Sequence, residues 1–134
     1  MIVVDTNIIA YLRIPGDFTP VVEAILEKDP YWIAPKLWRS EFRNVLTRQV
    51  LVKKLSLKTA IQIYKKTEDF FKDKDYEVQG ESVLRYSVES GCSSYDCEFI
   101  ALSQEKKASF VTLDKKILKT FPQIAISPEE FLRS

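Results

Sequence analysis

The sequence predicts an α/β fold built on a parallel sheet, in a single domain spanning residues 1–134. Three observations lead there. Short apolar runs rich in β-branched residues alternate with segments of helical spacing from one end of the chain to the other. The first of these runs is wholly apolar, as in a strand covered on both faces. No linker, repeat or low-complexity stretch interrupts a length that suits one core.

The elements follow in order. Residues 1–4, Met-Ile-Val-Val, read as a buried strand. Asp5-Thr6-Asn7 opens a short helix carrying Ile8, Ile9, Tyr11 and Leu12, which Pro15-Gly16 ends. Residues 18–28 form a second helix, with Thr19 as N-cap and Pro20 as its first helical residue. Residues 31–34 are a second strand, stopped by Pro35. A long helix covers 35–51, with Leu37, Trp38, Val45, Leu46 and Gln49 near one face. Ser56 caps the next, over 56–73, with Leu57, Ala60, Ile61, Tyr64 and Phe71 inward. Residues 76–78 are a third strand. A helix over 81–90 closes at Gly91, and Ser93 or Ser94 caps another over 95–106. A strand at 108–112, a short helix at 114–120, a strand at 124–126 and a helical turn at 127–132 complete the chain.

Composition excludes several chemistries. The chain has no histidine, which removes Ser-His-Asp triads, Cys-His dyads and imidazole-bound zinc. Gly16, Gly80 and Gly91 are too scattered for a phosphate-binding glycine loop. Cys92 and Cys97 alone form neither a zinc site nor a disulfide framework. No apolar run reaches the roughly 18 residues of a membrane span. The opening residues lack a basic segment and a long apolar stretch, so no signal peptide is read and a cytoplasmic setting with reduced thiols is expected. A net charge of +1 gives no overall pull toward nucleic acid and does not exclude it.

The remaining candidates are carboxylates. In open α/β sheets ligands collect beyond the carboxyl ends of the strands. Asp5 ends the first strand, and Asp114 lies just past the strand ending at Thr112. Each also begins a helix, so simple N-capping is the alternative role. Glu41 falls between Leu37 and Val45 on the apolar side of its helix, with Asn44 one turn on. An inward carboxylate is costly unless paired or metal-bound; a buried salt bridge to Arg39 or Arg43 is the competing reading. Asp96 shares a helix side with Phe99 and Ile100, although Ser93-Ser94-Tyr95-Asp96 also resembles a capping box. Glu98, about 200° further round that helix at about 100° per residue, reads as solvated.

Four acids in one cleft repel one another until some take up protons or a cation neutralises them. Oxygen-only ligands select a hard divalent ion, Mg²⁺ or Mn²⁺. Such a site fits phosphodiester hydrolysis better than acyl transfer. Arg13, Arg39 and Arg43 lie in segments that could flank the cleft and contact phosphates; a solvated, charge-balanced surface is the alternative. Trp38, Phe42, Tyr64, Phe70 and Phe71 read mostly as core or dimer contacts.

Four segments carry a resemblance: Ile2-Val3-Val4-Asp5-Thr6-Asn7, Ser40-Glu41-Phe42-Arg43-Asn44-Val45-Leu46, Tyr95-Asp96-Cys97-Glu98-Phe99-Ile100-Ala101-Leu102-Ser103 and Phe110-Val111-Thr112-Leu113-Asp114-Lys115-Lys116. In this order and spacing they resemble the PIN-domain family, most of all the VapC-type toxins of toxin–antitoxin pairs. The resemblance implies a three-layer α/β/α sandwich with a Rossmann-like parallel sheet. It implies a Mg²⁺- or Mn²⁺-dependent endoribonuclease with Asp5, Glu41, Asp96 and Asp114 as catalytic and metal-holding acids. Asn7 and Thr112 would orient those ligands, and Asn44 would support Glu41. The family also implies RNA as substrate, a homodimer, and a cognate antitoxin that inserts a segment into the cleft. Lys115 and Lys116 stand where some members carry a further acid, so the resemblance leaves one or two ions open. A catalytically silent PIN-like scaffold is the alternative, and the full acidic quartet argues against it. A phospho-acceptor receiver domain would need adjacent acids after the first strand, and a haloacid dehalogenase-type phosphatase would need an aspartate where Asn7 stands.

Overall fold

The computed structural model describes residues 1–134. In chain order the elements are β1 (Ile2–Val4), α1 (Thr6–Arg13), α2 (Thr19–Lys28), β2 (Trp32–Pro35), α3 (Trp38–Leu51), α4 (Leu57–Phe70), β3 (Asp75–Tyr76), α5 (Gly80–Ser90), α6 (Ser94–Lys106), β4 (Phe110–Val111), α7 (Lys115–Thr120), β5 (Ala125–Ile126) and α8 (Pro128–Arg133). All strand pairs are parallel, in the order β3-β2-β1-β4-β5. This is a Rossmann-like order, with its switch point between β1 and β4.

Side-chain alternation along the strands divides the core. Ile2 and Val4 of β1, Trp32 and Ala34 of β2 and Val111 of β4 join Ile8, Ile9, Val22, Ile25, Trp38 and Phe42 on one side. Val3, Ile33 and Phe110, one residue out of phase, join Val83, Ile100, Leu102 and Ile117 on the other. α1 to α4 with α8 therefore cover one face, and α5 to α7 the other, giving the predicted three-layer α/β/α sandwich. Ser56 and Gly91 act as read: the Ser56 hydroxyl accepts from Thr59 N–H at 3.1 Å, and Gly91 closes α5 with φ 75°. Ser93, not Ser94, caps α6.

Several local expectations are corrected. Thr19 is not an N-cap but the first residue of α2. Its hydroxyl instead ties the preceding turn, accepting from Gly16 N–H at 3.0 Å and donating to the Tyr11 carbonyl at 2.7 Å. Pro35 does not stop its strand; it is the last residue of β2 and pairs with Tyr76. Ala34 N–H donates to the Lys74 carbonyl just before β3 and Lys36 N–H to the Tyr76 carbonyl at its end, so the missing N–H of Pro35 falls where that ladder needs none. The long helix then begins at Trp38 rather than at 35, and β3 lies at Asp75–Tyr76, in register with Ala34 and Pro35 of β2, rather than at 76–78.

The apolar stripe of α4 is also divided. Ala60 is buried, but Leu57 is 65% and Ile61 45% exposed. With Leu46, Val50 and Leu51 of α3 they line an open apolar groove of about 460 Å³ between the two helices. No helix is long and apolar enough to cross a membrane.

Candidate active site

The strand register builds the site. Val4 of β1 pairs with Val111 of β4, so Asp5 and Thr112 are the next residues on adjacent strands. By alternation both point to the α6 side of the sheet. The Thr112 hydroxyl donates to Asp5 Oδ2. Its oxygen in turn accepts from Asp114 N–H at 3.1 Å. Asp5 and Asp114 also cap: Asp5 Oδ1 accepts from Ile8 N–H and Asp114 Oδ1 from Ile117 N–H, both at 3.1 Å. Capping leaves each carboxylate with lone pairs free for a second partner, so the two roles weighed from sequence do not exclude one another.

Glu41 comes from α3, the helix that follows β2. Its partner is neither Arg39 nor Arg43 but Thr6, whose hydroxyl donates to Oε1 at 2.7 Å. Thr6 escaped the sequence reading because 35 residues separate the partners; its one signal is a small hydroxyl beside the first-strand aspartate. Asp96 sits in the first turn of α6, where its N–H donates to the capping Ser93 hydroxyl at 3.0 Å.

Asp5, Glu41, Asp96 and Asp114 line one cavity of about 270 Å³ at the β1/β4 switch point, together with Thr6, Asn7, Asn44 and Thr112. The electrostatics record their proximity. Burial pushes the Asp5 carboxyl above its ordinary 3.8, against the pull of the Thr112 hydroxyl and nearby backbone N–H groups. Burial likewise raises Glu41, the Thr6 hydroxyl lowers it, and the charges of Asp96, Asp5 and Glu98 raise it again. Asp96 is raised by burial and by Asp114, and pulled back by Ser93 and Lys116. None of the four acids takes part in an ion pair.

The predicted arginines lie elsewhere, and none lines this cavity. Arg39 binds Asp75 at 2.7 Å and Glu68 at 2.9 Å. Arg43 donates to the Tyr64 hydroxyl at 2.7 Å and to Ser40 at 3.1 Å. Arg13 packs over the Phe70 ring, 5.1 Å from its centroid. Glu98 differs from the solvated group expected: it is half-buried, and burial raises its carboxyl above the ordinary range.

The donor set suits a hard divalent cation. It is all oxygen and mutually repulsive, and three of its four acids are half-buried. Although Lys116 acts on Asp96 from a distance, no side-chain cation is ion-paired with any of them. No three of the acids are drawn together into a ready-made cage, so an ion would gather them, with water filling its remaining positions.

A switch-point cavity lined by carboxylates outside any ion pair, on this strand order, defines an α/β protein with an anionic pocket at its sheet edge. The profile of the PIN domain family matches residues 2–122, and the chain belongs to that family. PIN domains are generally nucleases that use divalent metal ions. Among solved structures the fold is similar to that of PAE2754 from Pyrobaculum aerophilum, with a TM-score of 0.76 and 22% identity, covering 98% of this chain and 92% of that one. A search of curated proteins finds no match.

Proposed function

We propose that this PIN domain is a Mg²⁺- or Mn²⁺-dependent endoribonuclease that hydrolyses RNA phosphodiester bonds as the toxin of a type II toxin–antitoxin pair. The observation that carries the reading is the meeting of Asp5, Glu41, Asp96 and Asp114, none of them ion-paired, in one cavity at the sheet's switch point. When bound, the divalent ion would activate water and stabilise charge on the phosphoryl oxygens. The chain's own residues prepare that place. Thr112 and the start of α1 fix the Asp5 carboxylate, Thr6 fixes Glu41, and Ser93 fixes the turn that presents Asp96. Asn7 and Asn44 offer amide donors at the rim. The toxin reading adds a homodimer and a cognate antitoxin whose inserted segment brings cationic side chains to the anionic cavity.

Cleavage of single-stranded RNA, with and without Mg²⁺ or Mn²⁺, tests the enzyme. Asp5→Asn and Asp96→Asn should each lose roughly a hundredfold or more of the rate while keeping the wild-type far-ultraviolet circular dichroism. Cleavage that persists in both variants without divalent ions would refute the proposal. A chain showing no saturable Mn²⁺ binding would instead be a silent scaffold. A neighbouring short gene for a DNA-binding protein, whose product blocks cleavage, is the expected mark of the toxin role.

A further inference from the structure

A second cavity opens along the same sheet edge. It holds about 290 Å³ and is lined by Lys36, Tyr76, Glu77, Val78 and Glu98, among others. Lys36 follows β2 directly and Glu77 follows β3, so this cavity lies at the carboxyl ends of those strands. The acidic cavity lies at the ends of β1 and β4. In the order β3-β2-β1-β4, the two centres are two strand spacings apart, roughly 10 Å. A polynucleotide laid along this edge with a phosphate in the first cavity brings an adjacent nucleotide to the second.

The walls carry opposite charges that do not close on each other. Glu98 projects from α6, half-buried, and Lys36 is exposed at the rim. Neither takes part in the protein's ion pairs. Tyr76 forms one wall, with Lys106 Nζ 4.1 Å from its ring centroid. Glu77 is solvent-exposed, which leaves Glu98 as the partly desolvated acceptor. A carboxylate presents two acceptors side by side. Guanine alone among the RNA bases presents two donors side by side on its Watson–Crick edge, N1–H and N2–H₂. Adenine and cytosine place an acceptor beside the amino group, and uracil flanks N3–H with two carbonyls. Single-stranded RNA leaves this edge open to be read.

We propose that the Glu98 cavity is a guanine-recognition subsite for a nucleotide next to the scissile phosphate, with the Glu98 carboxylate accepting from N1–H and N2–H₂ and Lys36 facing that nucleotide's phosphate. The placement beside a scissile phosphate rests on the endoribonuclease reading; the guanine contact does not.

Two measurements separate them. Binding of guanosine, adenosine, cytidine and uridine monophosphates to the intact protein is followed by nuclear magnetic resonance without divalent ions. Guanosine monophosphate should bind about tenfold tighter than the others, and Glu98→Gln should erase that difference. Lys36→Ala should weaken all four nucleotides alike and keep the guanine preference. Equal binding of all four by the wild type, or a preference that survives Glu98→Gln, overturns the subsite. Should Glu98→Gln fail to fold, wild-type selectivity and Lys36→Ala still decide it. Sequencing the cleavage products of a random RNA pool with Mn²⁺ is the second measurement. It should show guanine enriched at one position beside the cut; cleavage with no such enrichment also overturns the subsite but leaves the nuclease standing. Guanine-selective binding with no RNA cleavage supports the subsite and removes the nuclease.

Discussion

Thr6 and Thr112 show how a single hydroxyl organises an acidic site. Each donates to one carboxylate, Glu41 or Asp5, in place of a counter-charge. They orient the acids without neutralising them, so the repulsion remains and stability depends on pH. The folded-state values of Asp5, Glu41 and Asp96 are raised above the ordinary 3.8 and 4.5. Below those ordinary values both folded and unfolded chains are protonated, and the contribution is fully present. As pH climbs through the raised values, the unfolded chain has already released protons that the folded chain still holds, so stability falls. The melting temperature of the metal-free protein should therefore drop between about pH 4 and neutrality relative to Asp5→Asn, which keeps a good N-cap residue without the charge. Mn²⁺ should raise the wild-type melting temperature more at neutral pH than at pH 4. Parallel melting curves for the two proteins across that range would contradict this account. The four acids were readable because each follows a strand or sits on an apolar helix side. Thr6 and the burial of Glu98 were not, since both depend on neighbours distant in sequence.

At the level of elements, caps and site residues coincide. Ser93 ends the loop after Gly91 and begins α6, and the N–H it satisfies belongs to Asp96. Ser93→Ala should cost about 1 kcal/mol in denaturant unfolding. It should also slow RNA cleavage by roughly tenfold, because the frayed turn releases Asp96. Ser93→Asn should recover most of both losses; stability recovered without activity would mean the cap does not position the acid. Helices with side-chain caps, at Ser56 and Ser93, announce their starts in the sequence. α2 and α3 have none, and the expected starts were misplaced there. Pro35 misled for a related reason: whether a ladder needs a given N–H depends on the partner strand. Periodicity alone also could not say that Leu57 and Ile61 would stay in an open groove while Ala60, on the same helix, is buried.

Over the whole molecule, the chain's alternation of strand and helix fixes the sandwich, and the register of β1 with β4 brings Asp5 beside Thr112. The order of the strands was not contained in the alternation itself, because short apolar runs carry little information about their neighbours. α6 joins these levels. It packs against α5 and across β1, β2 and β4, and Cys97, Ile100 and Leu102 are fully enclosed. The same helix carries Asp96, and its Ala101 and Glu98 border the clefts around it. The candidate site is thus mounted on a helix held by a neighbouring helix and by three strands. Backbone amides in the middle of α6 should be among the last to exchange with deuterated solvent, at the free energy of global unfolding. Nuclease activity lost on heating should then disappear along the same curve as the folded state, with no inactive but still-folded stage before it.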